Sequence, residues 1–286
     1  MPEKPQHISG YLLGTSDSVE RLCLFVATRL GDFMPRLRVV GGLVPRLLIR
    51  PPAIPGVEPH VGTQDLDLGF ELTLLHNAEY EALAARLRSA GLRQDLNPGG
   101  QPTRQRWVYP AANLTVDFLI PPVDADAEAG GLQSLEHDFA AVITPGLGCA
   151  FEDFEVVAID GTTIAGEAAS RDIWVCGPGA FVILKALALR NRGERKDAYD
   201  LNYVLRNWPG GLDEIATRVR SLSQQATVEK ALECLREDFG SVDSVGARQL
   251  DRFLGGDNAD DENLRADAVA LVREFLKRVR GGTQPP

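Results

Sequence analysis

Cysteine, histidine, long apolar runs and positive charge are all scarce in this chain. Its four cysteines, Cys23, Cys149, Cys176 and Cys234, are scattered with no Cys-x-x-Cys spacing, and its four histidines, His7, His60, His76 and His137, form no ligand pair. That excludes a zinc site of ordinary spacing and a disulfide framework, and it points to the reducing cytoplasm. The start, Met1 to Gln6, lacks the apolar core of a signal peptide. The most apolar stretch, Ala180 to Leu189, is broken by Lys185 and is too short to span a bilayer, so no membrane partner is expected. The 30 lysines and arginines are outnumbered by 40 acids, and the resulting charge of −10 argues against indiscriminate nucleic-acid binding. The basic residues are nevertheless clustered: six arginines lie from Arg21 to Arg50 against the single acid Asp32, and six basic residues lie from Lys185 to Arg206 against Glu194, Asp197 and Asp200. A nucleic-acid substrate is therefore not excluded, although the commoner role of such clusters is a solubilising face.

What is present begins with a strand that carries acids. At 286 residues the chain suits one large domain or two modest ones. Within it the segment Thr63 to Leu72 alternates, with Leu66, Leu68, Phe70 and Leu72 on one side and Asp65, Asp67, Gly69 and Glu71 on the other. A period of two predicts a half-buried strand. Aspartate is a poor strand former, and two carboxylates on one face repel unless a cation lies between them. Paired carboxylates are what Mg2+ requires, because it takes hard oxygen ligands and shares them with substrate phosphates. The plain alternative is a strand whose polar face is merely wet.

Along the chain, Asp17 and Glu20 predict a capped helix with Val19, Leu22, Cys23, Val26 and Leu30 as its stripe, ended by Pro35. A short strand, Leu37 to Val40, runs into Gly41-Gly42, followed by a helix over Leu43 to Ile49 and an exposed Pro-rich loop over Pro51 to Gly56. After the Asp65 strand come a helix from about Asn77 to Ala90 and a hairpin of Gln105–Tyr109 with Asn113–Ile120 about Pro110. Residues 121–135 are rich in Asp, Ala, Gly and Pro and mark a boundary. A β-rich piece over Phe154–Ile164 is expected to turn at Asp160-Gly161. Beyond Gly177-Pro178-Gly179 the pattern predicts helices over about 180–191, 195–207, 212–222, 227–238, 246–254 and 261–280. Trp107, Trp174 and Trp208 read as packing residues rather than base-stacking platforms.

Three further features join the acidic pair. Val39-Val40-Gly41-Gly42 opens a strand into a helix through two glycines, which lets backbone N–H groups approach a phosphate. Asp117 is one acid in the apolar strand Leu114 to Ile120, and beside Asp65 and Asp67 it would complete a three-carboxylate metal site. Lys185 lies inside a greasy helix, where an ammonium must find an anion or shift its pKa; on the next helix Lys196, Asp197 and Asp200 share one face. The bland counterpart is an intrahelical ion pair with a snorkelling Lys185.

Together these residues resemble the DNA polymerase β-like nucleotidyltransferases: a Gly-Gly turn, Asp-x-Asp on one strand, a third Asp on a later strand. The Lys185 helix followed by Lys196-Asp197-x-x-Asp200 narrows the resemblance to the AbiEii/AbiGii toxins of type IV toxin–antitoxin systems, including the MenT-type toxins. It covers roughly residues 36–205, and the helical extension is also similar. The resemblance implies an α/β fold. Residues 1–135 would be a nucleotidyltransferase domain with a small mixed sheet flanked by helices, residues 136–176 a β-rich bridge, and residues 177–286 a helical domain that contributes Lys185 and Asp200 to the site. It implies that Asp65, Asp67 and Asp117 hold Mg2+ or Mn2+, with Asp117 facing the acceptor hydroxyl. Gly41, Gly42 and Thr63 would cradle phosphate, Lys185 would contact the triphosphate, and Asp200 would orient Lys185 or the nucleotide. Arg190, Arg192, Arg195, Lys196 and Asp197 are candidates for further substrate contacts. The implied substrates are a nucleoside triphosphate and, for MenT-like members, the 3′ end of tRNA, with a cognate antitoxin as partner. The chain departs from the family in two places: Leu43 stands where Ser or Thr often follows the glycines, and His60-Val61-Gly62-Thr63 stands where an Arg often precedes the acidic pair. The acidic charge favours a small-molecule or protein hydroxyl as the alternative acceptor. The missing hydroxyl after Gly42 motivates a non-catalytic binding module as a third reading.

Overall fold

The computed structural model describes residues 4–50, 56, 58–70, 77–124 and 127–281. Among these, nine strands form one mixed sheet. Its centre is β1 (Leu37–Val40), antiparallel to β2 (Asp65–Phe70), which runs parallel to β5 (Leu114–Ile120). Beyond β5 lie β4 (Pro102–Tyr109) and β3 (Arg93–Leu96). On the other side of β1 lies β9 (Ala168–Cys176), then β8 (Phe154–Thr162) at the edge. The last residues of β5 also pair with β7 (Phe139–Ile143), which carries β6 (Leu132–Glu136). The stretch 136–176 thus lends β7, β8 and β9 to the same sheet as the acidic strands.

The register fixes what each face carries. Leu68 lies opposite Phe118 and Asp67 opposite Asp117, so the apolar sets of β2 and β5 share one face and the acids share the other. On the apolar face Phe70 stacks on Phe118 with ring centroids 5.2 Å apart, and Phe118 meets Phe139 at 4.9 Å. A one-residue slip would bury the acids in this cluster, which the chain resists strongly.

Helix α1 (Leu13–Leu30) packs on the sheet, and short helix α2 (Val44–Leu48), α3 (Asn77–Ser89) and the single turn α4 (Cys149–Glu152) complete the front half. The back half is helical: α5 (Pro178–Arg192), α6 (Arg195–Asn207), α7 (Gly211–Ser221), α8 (Gln225–Asp238), α9 (Val245–Gly255) and α10 (Glu262–Arg280). Up to Leu189, helix α5 is apolar apart from Lys185 and almost wholly buried, packed against α6, α7 and α8, as such a helix must be. It starts with Pro178 in its first turn and stops at Gly193, whose φ of +65° suits glycine. The short link that follows folds α6 back along α5. Among the described residues no helix is long and apolar enough to cross a membrane. All four cysteines are buried and free, Trp107 is fully buried, and Trp174 and Trp208 are partly buried against the core.

Several local expectations are corrected. Helix α1 begins at Leu13 rather than at Asp17, whose carboxylate instead pairs with Arg46. It ends at Gly31, before Pro35, which lies in a following 3-10 turn. The β8–β9 hairpin does not turn at Asp160-Gly161, because those residues pair with Ser170 and Ala169. It turns over Thr163–Gly166, where Gly166 adopts φ +86° and the Thr163 hydroxyl accepts from Glu167 N–H at 3.1 Å. Strands β3, β6, β7 and β9 were not anticipated; β3, for one, has no apolar alternation and exists through its pairing with β4. The helix after Gly41-Gly42 is only a 3-10 turn and five α-helical residues. Glu71, Leu72 and the loop Pro51 to Pro55 lie outside the described residues.

Candidate active site

Three carboxylates converge at the β2–β5 ladder. Asp65 and Asp67 are two apart on β2 and so share a face, and Asp117 is the direct partner of Asp67. Oxygen atoms of all three lie within 4.8 Å of one another. Among the described residues they are the one group of three potential metal ligands so arranged, and hard oxygen donors at this spacing suit a divalent cation. Gly41 makes the approach possible: its φ is +71°, and a Cβ there would sit 2.0 Å from Asp67 Oδ2. A Cβ at Gly42 would lie 2.9 Å from both Lys196 Nζ and Thr63 Cβ. Leu43, which follows, is fully buried in the core, so no side chain at that position reaches the cleft.

The protein's own cations share this site. Lys4 Nζ is 2.8 Å from Asp65 Oδ2, and Arg106 donates from Nε to Asp117 Oδ1 at 2.6 Å while its Nη2 pairs with Asp117 Oδ2. The same guanidinium stands 3.9 Å from Asp65. Thr63 Oγ1 donates to Asp65 Oδ1 at 2.8 Å. Asp67 has no hydrogen-bond or ion-pair partner among the described residues. Burial and then the negative charge of Asp65 push Asp67 up to about 7. Burial would raise Asp65 too, but the Lys4 charge and hydrogen bond, the Thr63 hydroxyl and the Arg106 charge together outweigh it and hold that carboxyl well below its usual range. Burial raises Asp117 despite the Arg106 fork.

Facing the carboxylates is a wall from α5 and α6. Lys185 Nζ lies 2.8 Å from Asp197 Oδ1 and 2.7 Å from Asp200 Oδ2, all three groups being buried. Lys196 Nζ is 2.6 Å from Asp200 Oδ1. Arg192 forks onto Asp197 with two contacts of 2.7 Å. Burial opposes the charge of Asp200, yet Lys185, Lys196 and a hydrogen bond from His60 hold it well below the ordinary carboxylate value. Burial lowers His60 to about 4, so its ring is neutral at pH 7. The Gly62 N–H donates to His60 Nδ1 at 3.0 Å, which leaves the proton on Nε2, 2.9 Å from Asp200 Oδ1. His60 therefore serves Asp200 and not the acidic pair that follows it in sequence.

Asp65, Asp67, Thr63, Gly42, Lys185, Arg192, Lys196, Asp197 and Asp200 all line one cleft, joined by Lys4, Tyr11, Gln64 and Glu194, and Asp117 stands behind the acidic pair. Arg190 and Arg195 do not reach it. Arg190 lies on the far side of α5, where its Nη2 bonds Asp238 at 2.9 Å and its Nη1 bonds Glu237 at 2.8 Å. Arg195 bonds Asp257 at 2.7 Å and touches His7. Helical spacing separates the two α5 arginines: at roughly 100° per residue, position 192 returns to within about 20° of Lys185 while position 190 is turned about 140° away. Sequence reasoning missed Lys4, Tyr11 and Arg106. Arg106 had a signal, since a hairpin about Pro110 that pairs 109 with 114 must pair 106 with 117. Lys4 and Tyr11 had none, being supplied by a segment with no periodic pattern.

No family model and no curated protein matches the chain. Among solved structures it is similar to JHP933 from Helicobacter pylori, at 14% identity over 93% of this chain and 93% of that one, with a TM-score of 0.42. It is also similar to a protein described as a "putative nucleotidyltransferase from H. pylori", at 15% identity over 96% of this chain and 100% of that one, with a TM-score of 0.45.

Proposed function

We propose that this chain is a divalent-cation-dependent nucleotidyltransferase, moving a nucleoside monophosphate from a nucleoside triphosphate to a hydroxyl. The observation that carries the reading is the convergence of Asp65, Asp67 and Asp117 within 4.8 Å, opposite a wall bearing Lys185 and Lys196. Asp65, Asp67 and Asp117 are the residues that would hold Mg2+ or Mn2+. Such a cation neutralises phosphate charge and aligns the attacking and leaving oxygens.

The chain's own groups do the remaining work. An ammonium has three N–H donors; Lys185 donates one to Asp197 Oδ1 and is held by Asp200 through charge, which leaves donor capacity for a phosphate oxygen. Lys196 bonds Asp200 and lies beside Gly42 and Thr63, which suits it to the same triphosphate. Gly41 leaves room for the Asp67 carboxylate, and Gly42 lets Lys196 and Thr63 come close to the backbone. Asp117, held by the Arg106 fork and raised by burial, accepts the proton of the acceptor hydroxyl. The hydroxyl oxygen bonds to the α-phosphorus and pyrophosphate departs with the electrons of the broken P–O bond.

The acceptor in this reading is the 3′ end of tRNA, whose extension blocks aminoacylation, and a cognate antitoxin restrains the activity. The resemblance of the Lys185 and Lys196-Asp197-x-x-Asp200 residues to the AbiEii toxins supports this. The test is incubation with labelled nucleoside triphosphates, total RNA and cell extract, with and without EDTA. Metal-dependent label on RNA is the expected result, and no transfer to any species would overturn the assignment. A small-molecule or protein hydroxyl is the second reading, favoured by the net charge of −10; label on one of those species instead would select it.

A further inference from the structure

One cation beside the carboxylates has no part in that chemistry. Lys4 belongs to an N-terminal arm that precedes α1 and is tied to the helical half. His7 Nδ1 donates to the Arg252 carbonyl at 3.0 Å, His7 Nε2 lies 3.3 Å from Asp257, and the Tyr11 ring packs 5.7 Å from that of Phe253. From that anchorage the Lys4 ammonium comes down to 2.8 Å from Asp65 Oδ2. It stands where a cation shared by the triad would compete for the same oxygen. The room left in the cleft is about 30 Å3, enough for about two waters and far short of the roughly 300–1,000 Å3 of small-molecule sites. A triphosphate that reaches Asp65 has to displace the Lys4 ammonium, which already holds that oxygen.

We propose that the N-terminal arm is a displaceable strap: Lys4 is the counter-ion of Asp65 while no divalent cation is bound, and a divalent cation entering the triad expels it and opens the cleft to the nucleotide. This rests on the metal-site reading of Asp65, Asp67 and Asp117. Two physical facts favour the strap over a fixed member of the site. An ammonium makes a single-point contact through a flexible stem, so it yields to a dication chelated by several oxygens. Its side chain is also 40% exposed while that of Asp65 is 7% exposed, which gives Lys4 a path outward that its partner lacks. Lys4 acts through Asp65 and is a positioning residue.

The test uses the full chain without nucleotide, with Mn2+ binding followed by the free-ion EPR signal and hydrogen exchange followed across residues 4–12. Occupation of Asp65 by the ammonium reduces the competent fraction, so Lys4→Met should bind Mn2+ on the order of tenfold more tightly, whereas Lys4→Arg should not. In the wild-type protein Mn2+ should speed exchange in the arm, and in Asp67→Asn it should not. Arm exchange that is unchanged or slowed in a protein that does bind Mn2+ overturns the strap and leaves the metal site standing. Mn2+ affinity in Lys4→Met no better than wild type overturns it as well. If the wild-type protein binds no Mn2+, both readings fall.

Discussion

Asp67→Asn should stabilise the metal-free protein. The side chain is isosteric, so the Gly41 contact survives, and only the charge is lost. In the folded chain burial and Asp65 raise Asp67 to about 7, from an ordinary value of 3.8. A folded pKa above the unfolded one means that the native state binds the proton more tightly, so wild-type stability falls as pH rises through 3.8 to 7. The roughly three-unit difference corresponds to about 4 kcal/mol at most, and the partial exposure of Asp67 cuts that to about 2 kcal/mol at pH 8. For a chain of this size the expected gain in melting temperature is about 4–8 °C. Melts in EDTA at pH 8 and pH 5 measure it: the variant should lead at pH 8, and the lead should shrink at pH 5. Millimolar Mg2+ should raise the wild-type midpoint by mass action and leave the variant unmoved. A variant that melts below wild type in EDTA at pH 8, or whose lead is the same at both pH values, would refute the reasoning.

Three further outcomes are expected. Lys185→Met leaves Asp197 and Asp200 buried beside one fewer cation, so denaturant titration should report a loss of about 3–5 kcal/mol; a neutral effect would contradict its pairing role. Gly41→Ala places a methyl 2.0 Å from Asp67 Oδ2 at φ +71°, and calorimetric titration should show no saturable Mn2+ binding. Arg190→Ala leaves the buried Asp238 carboxylate without its arginine fork on the far side of α5, so it should cost about 2–4 kcal/mol of stability yet leave nucleotide transfer by the folded protein within about twofold; a loss of tenfold or more in labelled product would put Arg190 back in the site.

Where apolar periodicity was strong, the fold was legible. The alternation of Leu66, Leu68 and Phe70 and the apolar run around Asp117 located β2 and β5, and the stripes of the back half located six helices close to their observed bounds. The strands that went unread are those whose existence depends on a neighbour: Arg93-Gln94-Asp95-Leu96 has no core face of its own and pairs along β4. Asp160-Gly161 is a strong local turn signal, but the ladder to Ser170 and Ala169 overrode it. In the site, the three acids were grouped through the family resemblance; the parallel β2–β5 pairing that brings them together is non-local, and no pattern along the chain announces it. Arg190 was misassigned by treating a run of basic residues as one face, when two helical steps separate it from Arg192. Lys4 was invisible because nothing local predicts where an aperiodic terminus docks.

The His60–Asp200 bond has a mechanical consequence. His60 lies five residues before Asp65 on the segment that also holds Val61, whose N–H donates to Tyr199 Oη of α6 at 3.3 Å, and Thr63. That short stretch is fastened to α6 at one end and becomes the first acidic strand at the other. The sheet's ligands and the cation-bearing helices are therefore coupled through a few residues of chain, and neither should loosen without the other. Native-state exchange should find the amides of residues 60–67 and 197–203 opening as a single cooperative unit, not as independent pieces.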